Sequence, residues 1–282
     1  MLKLKYWLLA IRPKTLTASL APVMLGTALA YKDGYFSGSY LFLTFFCALL
    51  IQIGTNLCND YCDFKKGADT PERIGPTRVT QAGLIAPNEV RAGFVLAFGL
   101  AACVGLCLVL RAGWPILLIG VASILSGIAY TAGPYALAYL GLGELFVLIF
   151  FGPVAVAGTY YIQALRFSWP ACLAGIALGL LSCAILVVNN LRDLEQDKKA
   201  NKKTLAVRFG RQFANFEYLF CLLAPALIAF WLHAWAASLL IIVSLFYLRK
   251  SSLDKLLPQT ALLVLLFAAV FIGQLFALTS NK

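Results

Sequence analysis

The sequence predicts an all-α polytopic membrane protein of about nine transmembrane helices, with a cytoplasmic N-terminus and two four-helix-like halves around a central cavity. Three observations lead there. Hydrophobic residues make up 61% of the chain and charged residues only 12%, whereas a soluble domain is about a quarter charged. The apolar residues fall into runs of roughly 20, the length a helix needs, at about 1.5 Å per residue, to cross a hydrocarbon core of about 30 Å. The basic residues gather in alternate loops.

The opening stretch, MLKLKYWLLAIRPKTL, is basic and partly apolar, with no small-residue cleavage site after a short apolar core. It reads as an amphipathic segment on the membrane surface and not as a signal peptide. Apolar runs follow at 15–31, 39–58, 90–110, 114–132, 144–163, 170–190, 213–232, 234–248 and 259–279. The run 234–248 is short and begins directly behind its predecessor, so these two form either a tight helical hairpin or a segment divided differently. No stretch of about ten residues alternates apolar with polar, as a membrane barrel requires. The whole chain, 1–282, reads as a single membrane domain. Gly120, Gly127, Gly175 and Gly179 stand at the small-residue spacing that lets membrane helices approach closely.

The net charge of +11 is explained by topology before partners. With nine helices and the N-terminus inside, Lys3, Lys5, Arg12, Lys14, five basic residues in 65–91, seven in 192–211 and three in 249–255 share one side. Lys32, Arg111, Arg166 and Lys282 fall on the other, giving 19 against 4. That asymmetry follows the positive-inside rule. It leaves anion binding as a second role and gives no reason to invoke nucleic acid. The eight cysteines sit mostly in apolar runs and read as small buried hydrophobes. Cys58 and Cys62 without histidines make a poor zinc signal, and the one histidine, His233, lies at a helix end on the opposite side.

Two hydrophilic loops, 64–89 and 191–212, follow the second and sixth helices, and their entrances correspond. NLCNDYCD carries Asn56 and Asp60; NNLRDLEQD carries Asn189 and Asp193, each an asparagine four residues before an aspartate. Continuous helix through each motif would put Asn56, Asp60 and Asp63 on one face, and Asn189, Asp193 and Asp197 on another. If the two helices face each other, their acidic stripes meet around one cavity. Four aspartates converging at a membrane boundary require cations between them. Mg2+ suits such a place because it binds through one or two carboxylates together with waters and substrate phosphates. Arg78, Lys198, Lys199, Lys202, Lys203 and Arg208, with Arg12 and Lys14 before the first helix, are candidates to contact the phosphate oxygens. Asp69, Glu72, Glu195, Lys65 and Lys66 read as solvated loop.

On these residues the chain resembles the UbiA superfamily of intramembrane prenyltransferases, with an Asn/Asp-rich first motif at Asn56, Asn59, Asp60 and Asp63 and a second, Asp-x-x-x-Asp motif at Asp193 and Asp197. RPKTLTASLAPVMLGTALA at 12–30, NDYCDFKKGADTPERIGPTRVTQAGLI at 59–85 and NNLRDLEQDKKANKKTLAVRFG at 189–210 are more similar to the branch that prenylates 1,4-dihydroxy-2-naphthoate for menaquinone. Asp69 trails Asp63 by six positions, behind Gly67, a spacing shared with the phytyl-transferring relatives.

The resemblance implies two Mg2+ ions held by Asp60, Asp63, Asp193 and Asp197, and a polyprenyl diphosphate donor. The acceptor it implies is a dihydroxynaphthoate ring that attacks the allylic carbon with loss of diphosphate and CO2. It implies that Asn56 and Asn189 order the ligands or bind diphosphate, that Arg78, Lys202 and Lys203 hold diphosphate, and that Arg12 and Lys14 attract the diphosphate or the naphthoate carboxylate. Tyr130 would shield the developing cation with its ring face or serve as an interfacial anchor. The expected location is the bacterial inner membrane, with the site facing the cytoplasm. Other acceptors, such as 4-hydroxybenzoate, remain open within the superfamily. A cation-coupled transporter is the competing class, but it would spread charge through the membrane depth, and Glu144 is the one ionisable residue near the start of the fifth helix.

Overall fold

The computed structural model describes residues 2–67, 77–248 and 251–279, apart from the side chains of residues 2, 14, 17, 278 and 279. Every regular element of the described chain is a helix. Its elements are α1 (Leu2–Ile11), α2 (Pro13–Lys32), α3 (Gly38–Lys65), α4 (Pro87–Ala112), α5 (Trp114–Ala129) and α6 (Gly143–Phe151). After these come α7 (Pro153–Ala164), α8 (Trp169–Arg192), α9 (Leu194–Lys199), α10 (Leu205–Trp231), α11 (Trp235–Leu248) and α12 (Leu253–Thr279). Six stretches are long and apolar enough to cross a membrane: α3, α4, α6 with α7, α8, α10 and most of α12. The helices α5 and α11 are apolar but shorter.

The breaks between elements follow local chemistry. Arg12 adopts left-handed φ of 53° and Pro13 opens α2, so the surface helix α1 turns sharply into the bundle. Gly113, at φ 76°, joins α4 to α5. The expected single helix over 144–163 is two, because Gly152 leaves helical geometry and Pro153 begins α7. A second correction concerns α10, which bends at Gly210 (φ 83°), just before the predicted start at 213.

The helix α8 forms the centre of the bundle. Ala171, Ala174, Ala177, Leu178, Leu181, Ala184 and Val188 on it are wholly buried, packed with residues of α2, α7, α10 and α12. Small residues do this work because hydrocarbon offers no hydrophobic gain for pairing helices, and close backbone approach must supply the contact energy. A Cβ on Gly175 would stand 2.7 Å from Cα of Pro153, and one on Gly179 would stand 2.9 Å from Cα of Gly152. The break in α6–α7 is therefore seated directly on α8. Gly127 similarly meets Thr55 of α3. Gly120, expected to pack in the same way, has open space beside it and lines the cavity.

Cysteines divide similarly. Cys58, Cys183 and Cys221 are buried as expected, whereas Cys103 and Cys107 lie exposed on the outer face of α4. At the end of the bundle opposite the two motifs, the Tyr160 hydroxyl donates to Asp33 at 2.6 Å and Gln163 bonds Ser37 through both backbone groups. His233 lies there too, at the α10–α11 turn with φ of 60°.

Candidate active site

The two acidic motifs open into one cavity of about 1500 Å³, reached by residues of α1 to α9 and α12. Its mouth is polar, with Asp63, Asp193, Asp197, Arg78 and Lys202. Its depth is apolar, with Phe146, Phe150, Phe151, Leu106 and Ile116. Thus α3 and α8 do present their motif ends to a shared space.

Within the first motif the three polar residues do different things. Asp63, 1% exposed, accepts from Arg78 Nη2 at 2.9 Å and from the Tyr139 hydroxyl at 3.0 Å, with Lys202 Nζ at 3.8 Å. Asp60 is not among the cavity-lining residues. Its two carboxylate oxygens accept the backbone N–H groups of Val79 (3.2 Å) and Thr80 (3.0 Å) and so fasten the loop that carries Arg78. At about 100° of helix rotation per residue, Asp60 lies about 60° around α3 from Asp63, enough to turn one to the loop and the other to the cavity.

Asn56 lines the cavity, but its amide is committed. Nδ2 donates to the Ile11 carbonyl and to Thr15 Oγ1, each at 2.9 Å, while Oδ1 accepts from Gln52 at 3.3 Å. Asn56 thereby holds the α1–α2 joint at which Arg12 faces the cavity. Asn59, also on the cavity wall, accepts from the Thr131 hydroxyl at 2.7 Å.

In the second motif α8 ends at Arg192 and Asp193 is the joint to α9, so the helix is interrupted where continuity was expected. The register survives, because the Asp193 N–H still donates to Asn189 O and the Asp197 N–H to Asp193 O. Arg192 grips Asp193 with Nε at 2.7 Å and Nη2 at 2.8 Å, and Nη2 also reaches Asn189 Oδ1 at 2.6 Å. Asp197 is buried on the cavity wall.

The remaining predicted residues divide. Arg12, Arg78, Lys199, Lys202 and Tyr130 line the cavity. Lys203 is exposed and engages through its backbone, its N–H donating to Tyr139 O. Arg208 braces loops, with Nε donating to Lys203 O and Nη2 to Leu140 O. Lys198 pairs with Glu195 on the surface. The Lys14 side chain and Asp69 lie outside the described residues.

Sequence reasoning missed three features. Tyr139 donates to Asp63 while Lys66 and Lys202 stand over its ring at 4.4 and 5.0 Å from the centroid, so one tyrosine joins both motif loops. Arg192 lies inside the motif NNLRD, directly before the aspartate it grips, so its signal is local. The Glu144–Asn190 pair (2.7 Å) joins residues 46 apart and had no local signal.

Acidic and basic groups gathered at one mouth of an apolar cavity, inside a bundle of membrane-length helices, form a site of amphipathic character. The chain belongs to the UbiA prenyltransferase family, whose model matches residues 19–261. Among its relatives, the 1,4-dihydroxy-2-naphthoate octaprenyltransferase of Escherichia coli (strain K12) is 38% identical over 263 residues, covering 86% of this chain and 85% of that one. The enzyme of that name from Haemophilus influenzae is 41% identical over 74% of this chain and 70% of its own. The fold is shared with a UbiA homolog from Archaeoglobus fulgidus bound to GPP and Mg2+, at TM-score 0.70 and 16% identity, over 95% of this chain and 98% of that one.

Proposed function

We propose that the chain transfers a polyprenyl group from polyprenyl diphosphate to 1,4-dihydroxy-2-naphthoate, releasing diphosphate and CO2, and so makes the demethylmenaquinol of menaquinone biosynthesis. The observation that carries this reading is the polar mouth set over an apolar cavity, in a chain whose relatives bear that enzyme's name over most of their length. In this reading nine helical segments cross the bacterial inner membrane, with α6 and α7 together forming one span and the cavity mouth on the cytoplasmic side.

The donor set suits Mg2+. The cavity carboxylates are hard oxygen ligands, and among the described residues no three acidic, histidine or cysteine groups gather closely enough to cage an ion. Mg2+ does not need a cage, since it keeps several waters and completes its shell with substrate phosphates. Asp63, Asp193 and Asp197 would hold it, after exchanging their present Arg78, Lys202 and Arg192 partners in part for metal. Asp60 would support them through the 78–85 loop. When bound, the ion supplies charge neutralisation for the departing diphosphate.

The chain's own residues do the rest. Arg78, Lys199, Lys202 and Arg12 bind diphosphate oxygens and hold the donor's allylic carbon at the junction of polar mouth and apolar depth. The aromatic wall of α6 receives the isoprenoid tail and keeps water from the carbocation-like carbon. Tyr130 presents its ring at that same level.

The test supplies membranes containing the protein with dihydroxynaphthoate and a polyprenyl diphosphate, with Mg2+ or chelator, and follows prenylated naphthoquinol. Product that requires the metal and falls at least 100-fold in Asp63→Ala and Asp193→Ala is expected. Turnover only on another aromatic acid would overturn the acceptor.

A further inference from the structure

Neither acidic motif includes Glu144, yet it faces the same cavity. It is the second residue of α6, is 8% exposed, and its Oε1 accepts from Asn190 Nδ2 at 2.7 Å. The two residues come from different helices, and both line the cavity. An ionisable side chain within a membrane span is costly and is retained for function.

Its level along the cavity is informative. The helix α6 enters at the mouth and descends through Phe146, Phe150 and Phe151. Glu144 therefore stands where the acidic and basic mouth gives way to the apolar wall. The allylic carbon must lie there, since it joins a diphosphate to a hydrocarbon tail. An attacking aromatic ring must lie there too. The Tyr130 hydroxyl is 3.2 Å from where a Cβ on Gly143 would be, so this tyrosine flanks the same point.

We propose that Glu144 is the general base of the reaction, a catalytic residue that takes the proton of the acceptor hydroxyl next to the carboxylate and returns it after decarboxylation, with Asn190 aiming its carboxylate. The proposal rests on the dihydroxynaphthoate reading above. The allylic C–O bond breaks and its electron pair leaves with diphosphate. The ring carbon bearing the carboxylate forms the new C–C bond with a π pair, while the hydroxyl proton moves to Glu144 and the C–O of the ring becomes a ketone. The product of that step is a β-keto acid. Its carboxyl carbon bond then breaks, CO2 leaves, and the electron pair passes through the ring to the oxygen, which recovers the proton from Glu144. No proton is consumed overall and the base is regenerated.

Among the described residues, the titratable groups that interact electrostatically with Glu144 include Tyr130 after α5, Cys183 on α8, and Glu217 and Cys221 on α10. The helices α2 and α7 turn Ser19 and Thr159 to the cavity, which do not titrate.

The test compares full-length wild type, Glu144→Gln and Glu144→Asp in membranes with Mg2+, dihydroxynaphthoate and polyprenyl diphosphate from pH 6 to 10. It measures kcat, acceptor KM and donor affinity. General bases contribute about 10²- to 10⁴-fold, so Glu144→Gln is expected to lose that much kcat at neutral pH while KM and donor affinity change less than about threefold. Its rate should then climb about tenfold per pH unit, as the acceptor's own ionisation, near the phenol range of about 10, replaces the base. Glu144→Asp should retain the wild-type profile at reduced rate. A Glu144→Gln enzyme within threefold of wild type, or one depressed equally at every pH, overturns the proposal. If Glu144→Gln does not accumulate, Asn190→Ala decides. Losing a hydrogen bond to the charged carboxylate should move the acid limb of the kcat profile to higher pH, and an unmoved limb refutes the assignment. Failure of the wild type itself on dihydroxynaphthoate, with turnover on another phenolic acid, removes the acceptor reading and with it the proposed step, whereas a wild type active on dihydroxynaphthoate beside an unaffected Glu144→Gln removes the base alone.

Discussion

Asp60 and Asp63 show how little separates a ligand from a brace. Both are buried aspartates of one motif, but Asp60 spends both oxygens on the Val79 and Thr80 amides, while Asp63 meets Arg78, Tyr139 and Lys202 at the cavity. Removing an acceptor strands a buried amide at about 1–3 kcal/mol each. Asp60→Ala is therefore expected to lower thermal stability in detergent and leave the Mg2+ concentration for half-maximal rate within about twofold. Asp63→Ala should raise that concentration by tenfold or more. A metal titration of the two variants beside their melting curves checks this, and a like response from both would refute the division. The residues of the second motif were legible for a plain reason: its asparagine and aspartates lie one helical turn apart, and all three line the cavity.

Elements carry the next level of constraint. The α6–α7 break at Gly152 rests on Gly175 and Gly179 of α8, so the position of Glu144 depends on backbone contact some two turns below it. A side chain at Gly179 has no room, since its Cβ would lie 2.5 Å from the Leu148 carbonyl oxygen, and overpacking of this kind costs about 1–3 kcal/mol. Gly179→Val should lower the melting temperature and kcat together, whereas Gly120→Ala, with open space beside it, should leave the melting temperature within about 1 °C of wild type, as thermal unfolding in detergent would measure. Hydropathy anticipated the apolar run over 144–163 but not its interruption. A Gly-Pro pair permits a break without requiring one, and the requirement comes from how closely α8 approaches.

For the whole molecule, the segregated basic residues predict which way the cavity opens. Lys32 is exposed at the end opposite the motifs, and Lys198, half-exposed, lies beside the mouth. In intact cells an impermeant amine reagent should label Lys32 once the outer barrier is opened, and reach Lys198 only after the inner membrane is permeabilised. Reversed labelling would place the mouth outside.

The sequence by itself determined that the chain is a helical membrane protein, where its polar motifs lie, and which chemistry their residue types suit. Those properties follow from composition and from periodicity along single helices, which are local. Tertiary structure decided which aspartate faces the cavity, that Tyr139 holds the Asp63 carboxylate, and that Glu144 meets Asn190. Each depends on groups distant in the chain being brought within about 3 Å, and no local pattern encodes such a meeting. For Glu144 and Asn190 it arises from how closely the glycines of α8 let α6 and α7 approach.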